Sequence, residues 1–259
     1  MPFIELDDIR LYYEEHGKGD AIVFTHGNSL FHGQWQPQVD EFSKTHRVIV
    51  WDVRGHGKTG LPPGPLDPES FSRDLIGLLD GLKIDRAVLC GLSMGGHISL
   101  QAAVRYPERV RALVLIGAPF TNSFNWFETL TVPINLLSVR LMPLELTAKL
   151  TADAVSKITP ATRSIVEQGF GFMTHDQFLR QWAGNLRLET KHDLHKVQCP
   201  TLILHGEKDA LVARQQKALA AGIAGAEFYS IPDAGHLTNL DNPQAVNQRM
   251  REFLRQLQG

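Results

Sequence analysis

The chain has 259 residues, is 43% hydrophobic and 21% charged, and carries a formal net charge of −2. That length supports one large domain or two small ones with a substantial core. The even charge balance, with no basic block, excludes the electrostatic footprint of a protein that binds nucleic acid or an anionic membrane. Cys90 and Cys199 each adjoin an apolar run and read as small buried residues rather than a disulfide framework. Residues 1–8 show no charged-then-apolar leader and no apolar run reaches membrane-spanning length, so a cytoplasmic location is the default expectation.

In chain order, residues 3–6 and 10–14 read as two short strands around an Asp7-Asp8 turn. Residues 21–24 form a third, apolar on both faces, and run into Thr25-His26-Gly27-Asn28-Ser29. Residues 34–45 read as a helix with Trp35, Val39 and Phe42 inward, and residues 48–51 as a buried strand ending in Asp52-Val53-Arg54-Gly55-His56-Gly57. After a proline-rich loop, Asp67 is placed to cap a helix whose stripe is Phe71, Leu75, Leu78 and Leu82. An apolar run, 87–90, then meets Gly91-Leu92-Ser93-Met94-Gly95 and opens into helix-forming sequence, and 110–116 is another buried strand. This alternation calls for an α/β fold: a mostly parallel sheet with helices on both faces.

From residue 120 to about 191 no strand pattern occurs, only amphipathic helical pieces broken by Pro133, Pro143 and Pro160. The sheet resumes at 200–205, followed by a helix at 214–221 and a strand at 226–231. The last helix is capped by Asp241 or Asn242, with Val246, Met250, Phe253 and Leu257 inward. The expected division is therefore a core of 1–119 and 192–259 with a helical insertion at 120–191.

The Gly-x-Ser-x-Gly stretch between a strand and a helix puts Ser93 at a strained apex with its hydroxyl clear of the backbone. A serine hydroxyl needs a base to take its proton, and a histidine base needs an acceptor on its other nitrogen. His236, in the loop before the last helix, has the best context of the eleven histidines, and Asp209, just beyond a strand, is the acid. Glu207 is the rival acid, two residues away. Oxyanion donors are expected from the backbone N–H groups of Asn28 and Met94. A histidine base also predicts a rate that falls on acidification.

His26-Gly27-Asn28, the Asp52-to-Gly57 loop, Gly91-Leu92-Ser93-Met94-Gly95-Gly96, His205-Gly206-Glu207-Lys208-Asp209 and Gly235-His236 together resemble the α/β-hydrolase superfamily. The likeness is to its branch of small carboxylesterases and enol-lactone hydrolases. It implies that 120–191 is a helical lid, and that a small ester or lactone is cleaved through an acyl-enzyme, with no metal or organic cofactor. Trp126, Phe127 and Met173 are the expected pocket-facing residues of that lid.

Other readings stand beside these. A carbon–carbon bond hydrolase or a cofactor-free perhydrolase uses the same triad, and a small-molecule receptor retains it with little turnover. Chemistries that need an aspartate nucleophile are disfavoured by Ser93. His26 and His56 read as turn-shaping residues, His97 as packing behind the elbow that the Ser93 turn forms, Arg54 as bonding loop carbonyls, and His192 and His195 as a solvated linker.

Overall fold

The computed structural model describes residues 2–257. Eight strands form one sheet: β1 (Phe3–Glu5), β2 (Arg10–His16), β3 (Ala21–Thr25), β4 (Arg47–Trp51), β5 (Ala87–Leu92), β6 (Val110–Ile116), β7 (Thr201–Gly206) and β8 (Glu227–Ile231). Their spatial order is β1-β2-β4-β3-β5-β6-β7-β8. The β1–β2 and β2–β4 pairs are antiparallel and all later pairs are parallel. The central strands β3, β5 and β7 are buried along their whole length, as strands covered on both faces must be. Alternate residues of β5 feed opposite faces: Ala87 and Leu89 join one core cluster, Val88, Cys90 and Leu92 the other.

Helices α2 (Ser70–Gly81), α3 (Met94–Arg105) and α8 (Ala213–Gly222) cover the first face, and α1 (Gln36–Phe42) and α10 (Pro243–Gln256) the second. The helix expected over 34–45 divides into a 3-10 turn at His32–Trp35 and α1, because Pro37 has no N–H to give and is tolerated only in a first turn. Trp35, Val39 and Phe42 are buried. Asp67 accepts the Glu69 N–H at 3.0 Å, closing a turn ahead of α2 rather than capping the helix itself. Asn242 is the cap of α10, accepting the Ala245 N–H at 3.1 Å. Met250 and Phe253 point inward with Leu254, while Leu257 packs at the edge.

Between β6 and β7 run α4 (Trp126–Leu141), α5 (Leu144–Val155), α6 (Arg163–Gly171) and α7 (His175–Asn185), and an isolated bridge of Thr121 with Glu189 pairs the segment entering them with the one leaving. A short α9 (Thr238–Asp241) precedes α10. Among the described residues no helix is long and apolar enough to cross a membrane.

Arg54 departs from its expected role. Its guanidinium donates to both oxygens of the buried Asp74 carboxylate at 2.6 Å and to Asp8 at 3.1 and 3.2 Å, so it bonds carboxylates and not loop carbonyls. Burial alone would depress its pKa, but Asp74 and Asp8 hold it above the ordinary arginine value. Replacing Arg54 by Met leaves the Asp74 carboxylate buried without its partner. We expect a loss of about 3–5 kcal/mol in urea unfolding. Asp8→Ala, which removes the half-exposed partner, should cost less than about 1 kcal/mol.

Candidate active site

Strand β5 ends in a turn that leaves Ser93 at φ 52° and ψ −119°, a conformation L-residues avoid and surroundings must impose. The Ser93 N–H donates to Ile116 O at 2.9 Å, fastening the apex to the end of β6. A Cβ on Gly91 would lie 2.2 Å from the carbonyl of Gly95, so the two limbs of the turn close only without one. A Cβ on Gly95 would meet Thr25 O at 2.1 Å; there the obstacle is the end of β3, not the facing limb. Behind the turn α3 is buried from Met94 to Ala103, which fixes the apex from below.

The ends of β5, β7 and β8 deliver three side chains to one point. The Ser93 hydroxyl donates to His236 Nε2 at 2.9 Å, and His236 Nδ1–H donates to Asp209 Oδ2 at 2.9 Å. The other Asp209 oxygen accepts the Leu211 N–H at 2.9 Å. Burial pushes the Asp209 carboxyl up, but His236, the Leu211 N–H and His205 outweigh it and hold the group below the usual carboxylate value. Gly117, at φ +50° after β6, leaves room for this pair: a Cβ there would stand 3.1 Å from Asp209 Oδ2. Glu207, the rival acid, faces solvent, because the loop is held by Glu207 N–H to Ile231 O and Lys208 N–H to Ala234 O.

Ser93 and His236 open into a cavity of about 370 Å³ that Asn28 and Met94 also line. Met94 is the first residue of α3, so its N–H has no carbonyl a turn earlier within the helix to bond, and the helix end adds partial positive charge. The turn bearing Asn28 is anchored through a chain of buried amides. Gly27 N–H donates to Gln34 Oε1 at 2.9 Å, Gln34 Nε2 to Asn239 Oδ1 at 3.1 Å, and Asn239 Nδ2 to Gln38 Oε1 at 3.0 Å. Asn239 sits in α9, three residues after His236, so this chain links the Asn28 turn to the imidazole loop.

The expected pocket residues lie elsewhere. Trp126 and Phe127 are 75% and 62% exposed and point away from the cavity. The cause is the phase of α4. Glu128 faces inward, taking hydrogen bonds from Phe124 N–H and Asn125 Nδ2 and pairing with Arg214 at 3.0 Å, which turns the two preceding side chains outward. Met173 is buried with Phe170 and Phe178 in the core beneath the helices and does not line the cavity. The wall is built instead by Val132, Trp182, Leu186, Leu211 and Val212. Trp182, which the sequence reading missed, follows Phe178 one turn on, a helical spacing by which it could have been found, and its Nε1–H donates to Asn135 Oδ1 at 2.6 Å.

Several histidines have structural places. His26 donates from Nδ1 to Gly27 O at 2.8 Å and accepts the Val53 N–H on Nε2 at 3.0 Å, while His56 donates to Arg54 O at 3.3 Å. His97 lies behind the elbow against Thr190. Burial lowers His26 to about 4, and His56 and His97 to about 3. His192 and His195 are exposed, and no cluster of three or more metal-ligating side chains occurs among the described residues. Asp241 is not a helix cap: its Oδ2 accepts the Gly235 N–H at 2.8 Å and shapes the loop before His236.

This arrangement sets a proton acceptor against a hydroxyl, with a carboxylate behind it and an apolar-walled space in front. Similar architectures are known. The enol-lactonase from Burkholderia xenovorans superposes with a TM-score of 0.89 at 26% identity, covering 98% of this chain and all of that one. A thermophilic esterase from Thermogutta terrifontis superposes at 0.86 with 28% identity over 96% of this chain and 94% of its own. A 2-hydroxy-6-oxononadienedioate/2-hydroxy-6-oxononatrienedioate hydrolase of Paraburkholderia phymatum is 29% identical over 96% of this chain and 92% of that protein. The sequence description of the alpha/beta hydrolase family matches residues 22–249. The chain belongs to the alpha/beta hydrolase family.

Proposed function

We propose that the protein is a serine hydrolase of small carboxylic esters or lactones, working through an acyl-enzyme. The observation that carries this is the unbroken line from the Ser93 hydroxyl through His236 to Asp209, with both links at 2.9 Å, at the floor of the cavity. His236 takes the Ser93 proton as the oxygen attacks the carbonyl, and Asp209 holds the imidazole and stabilises its cationic form. The amides of Asn28 and Met94 receive the oxyanion. His236 then protonates the leaving alkoxide, and a water activated by the same ring releases the acid. Residues 120–191 act as a lid over a core of 1–119 and 192–259. Nothing in this sequence of steps calls for a cofactor.

A second reading, hydrolysis of a carbon–carbon bond in a diketone acid, is favoured by the 29% identity to the Paraburkholderia enzyme. A panel of short-chain p-nitrophenyl esters, lactones and diketone acids separates the two. We expect steady multiple turnover on esters or lactones, and a mass increment of the acyl group on Ser93 in rapidly quenched samples. Turnover confined to diketone acids supports the second reading. A single stoichiometric burst without further turnover overturns both and marks a receptor.

A further inference from the structure

We infer that the outer face of α4 is the interface of a homodimer, in which α4 of one copy packs antiparallel against α4 of the other about a two-fold axis near Ile134. Phe127, Leu130, Ile134, Leu137 and Leu141 recur at spacings of three, four, three and four, and each is 57–75% exposed. Together they mark an apolar stripe along α4, widened on one side by the exposed Trp126 and Pro133, of the kind with which one helix meets another.

Charge and area lead to the same occupant. The only cation on α4 is Arg140, so the helix offers a single basic residue to an anionic bilayer and no charge pattern asking for a charged partner. With Trp126, the seam leaves roughly 800 Å² of large apolar side chain in water, about the area each partner contributes to a stable protein interface. The seam is also close to self-complementary. With Ile134 on the axis, Phe127 falls opposite Leu141 of the second copy and Leu130 within one residue of its Leu137, as an isologous contact requires.

The chain's own packing gives α4 little support. Glu128 is its one buried residue, and Pro133 removes a hydrogen bond from its middle. The opposite face, through Glu128, Thr131, Val132 and Asn135, lines the cavity above Ser93. A second copy would therefore brace the wall of the site from behind without entering it.

Sedimentation velocity of the full chain at micromolar concentration tests this. The native protein should sediment as a dimer, and Ile134→Glu, which sets two carboxylates on the axis, as a monomer with an unchanged far-ultraviolet circular dichroism spectrum. Ile134→Cys should give a disulfide-linked dimer on mild oxidation, since Cys90 is buried and Cys199 half-buried. A monomeric native protein overturns the inference. So does a dimer that survives Ile134→Glu while Ile134→Cys fails to cross-link, which would place the contact on another face. A native monomer that pellets with phosphatidylcholine vesicles would assign the seam to a lipid surface instead.

Discussion

Exchanging Asp209 for Asn should lower the proposed ester turnover about 10⁴-fold with little change in KM, and Ser93→Ala should lower it on the order of 10⁶-fold. The first effect follows from the tautomer. With a carboxylate at 209 the neutral ring carries its proton on Nδ1, leaving the Nε2 lone pair to accept the Ser93 hydroxyl. An amide at 209 can present its NH₂ instead, so Nδ1 becomes the acceptor and Nε2 carries the proton. The ring then faces serine as a donor. It also loses the charge that steadies its cationic form. Steady-state kinetics on a p-nitrophenyl ester checks both, with Glu207→Gln as the control expected to stay within about threefold of the native rate, being a change at an exposed side chain. If Glu207→Gln is instead the damaging change, the acid has been misassigned.

Unfolding by mild acid is the second large effect expected. His26, His56 and His97 are held neutral by burial, at about 4, 3 and 3, while an unfolded histidine takes up a proton near 6.5. The unfolded chain therefore binds more protons than the folded one throughout the interval from about 6.5 down to 4. Stability from this source is complete above 6.5 and is lost as the pH falls. Each histidine contributes about 1.4 kcal/mol per pH unit, so the three together give a slope of about 4 kcal/mol per unit. Two units are enough to consume the whole stability of an ordinary domain. Asp241, whose carboxyl burial raises, pulls weakly the other way at the acid end of this range. Urea unfolding followed by circular dichroism at pH 7, 6 and 5 should show the slope, and His97→Asn should reduce it by about a third. A free energy flat between pH 7 and 5 would contradict the linkage.

What the sequence made legible has a common physical character. The elbow could be read because its demands fall within a few consecutive residues: an apolar strand, two glycines with no room for a Cβ, and a helix start. The order of strands and helices was readable because periodicity is also a local property. The choice between Glu207 and Asp209 was harder, since the two differ only in how the loop after β7 hangs from the loop after β8. The phase of α4 was out of reach. It is set by Glu128 meeting Arg214 across a long stretch of chain, and no periodicity within the helix says which side meets the cavity. For the same reason Trp126 and Phe127 were expected inward and stand outward. Arg54 was misread because its partners, Asp8 and Asp74, lie far from it in sequence on two different elements.

The amides of Gln34, Gln38 and Asn239 make a tether in which no member can gain or lose a proton. Salt does not screen it, and acidity cannot switch it off as it can a carboxylate pair. The turn bearing Asn28 and the short helix after His236 are thus coupled through a link that is itself indifferent to the ionic state of the medium. Acid reaches the alignment instead through the carboxylates of Asp241 and Asp209, which hold the loop before His236 and the ring itself.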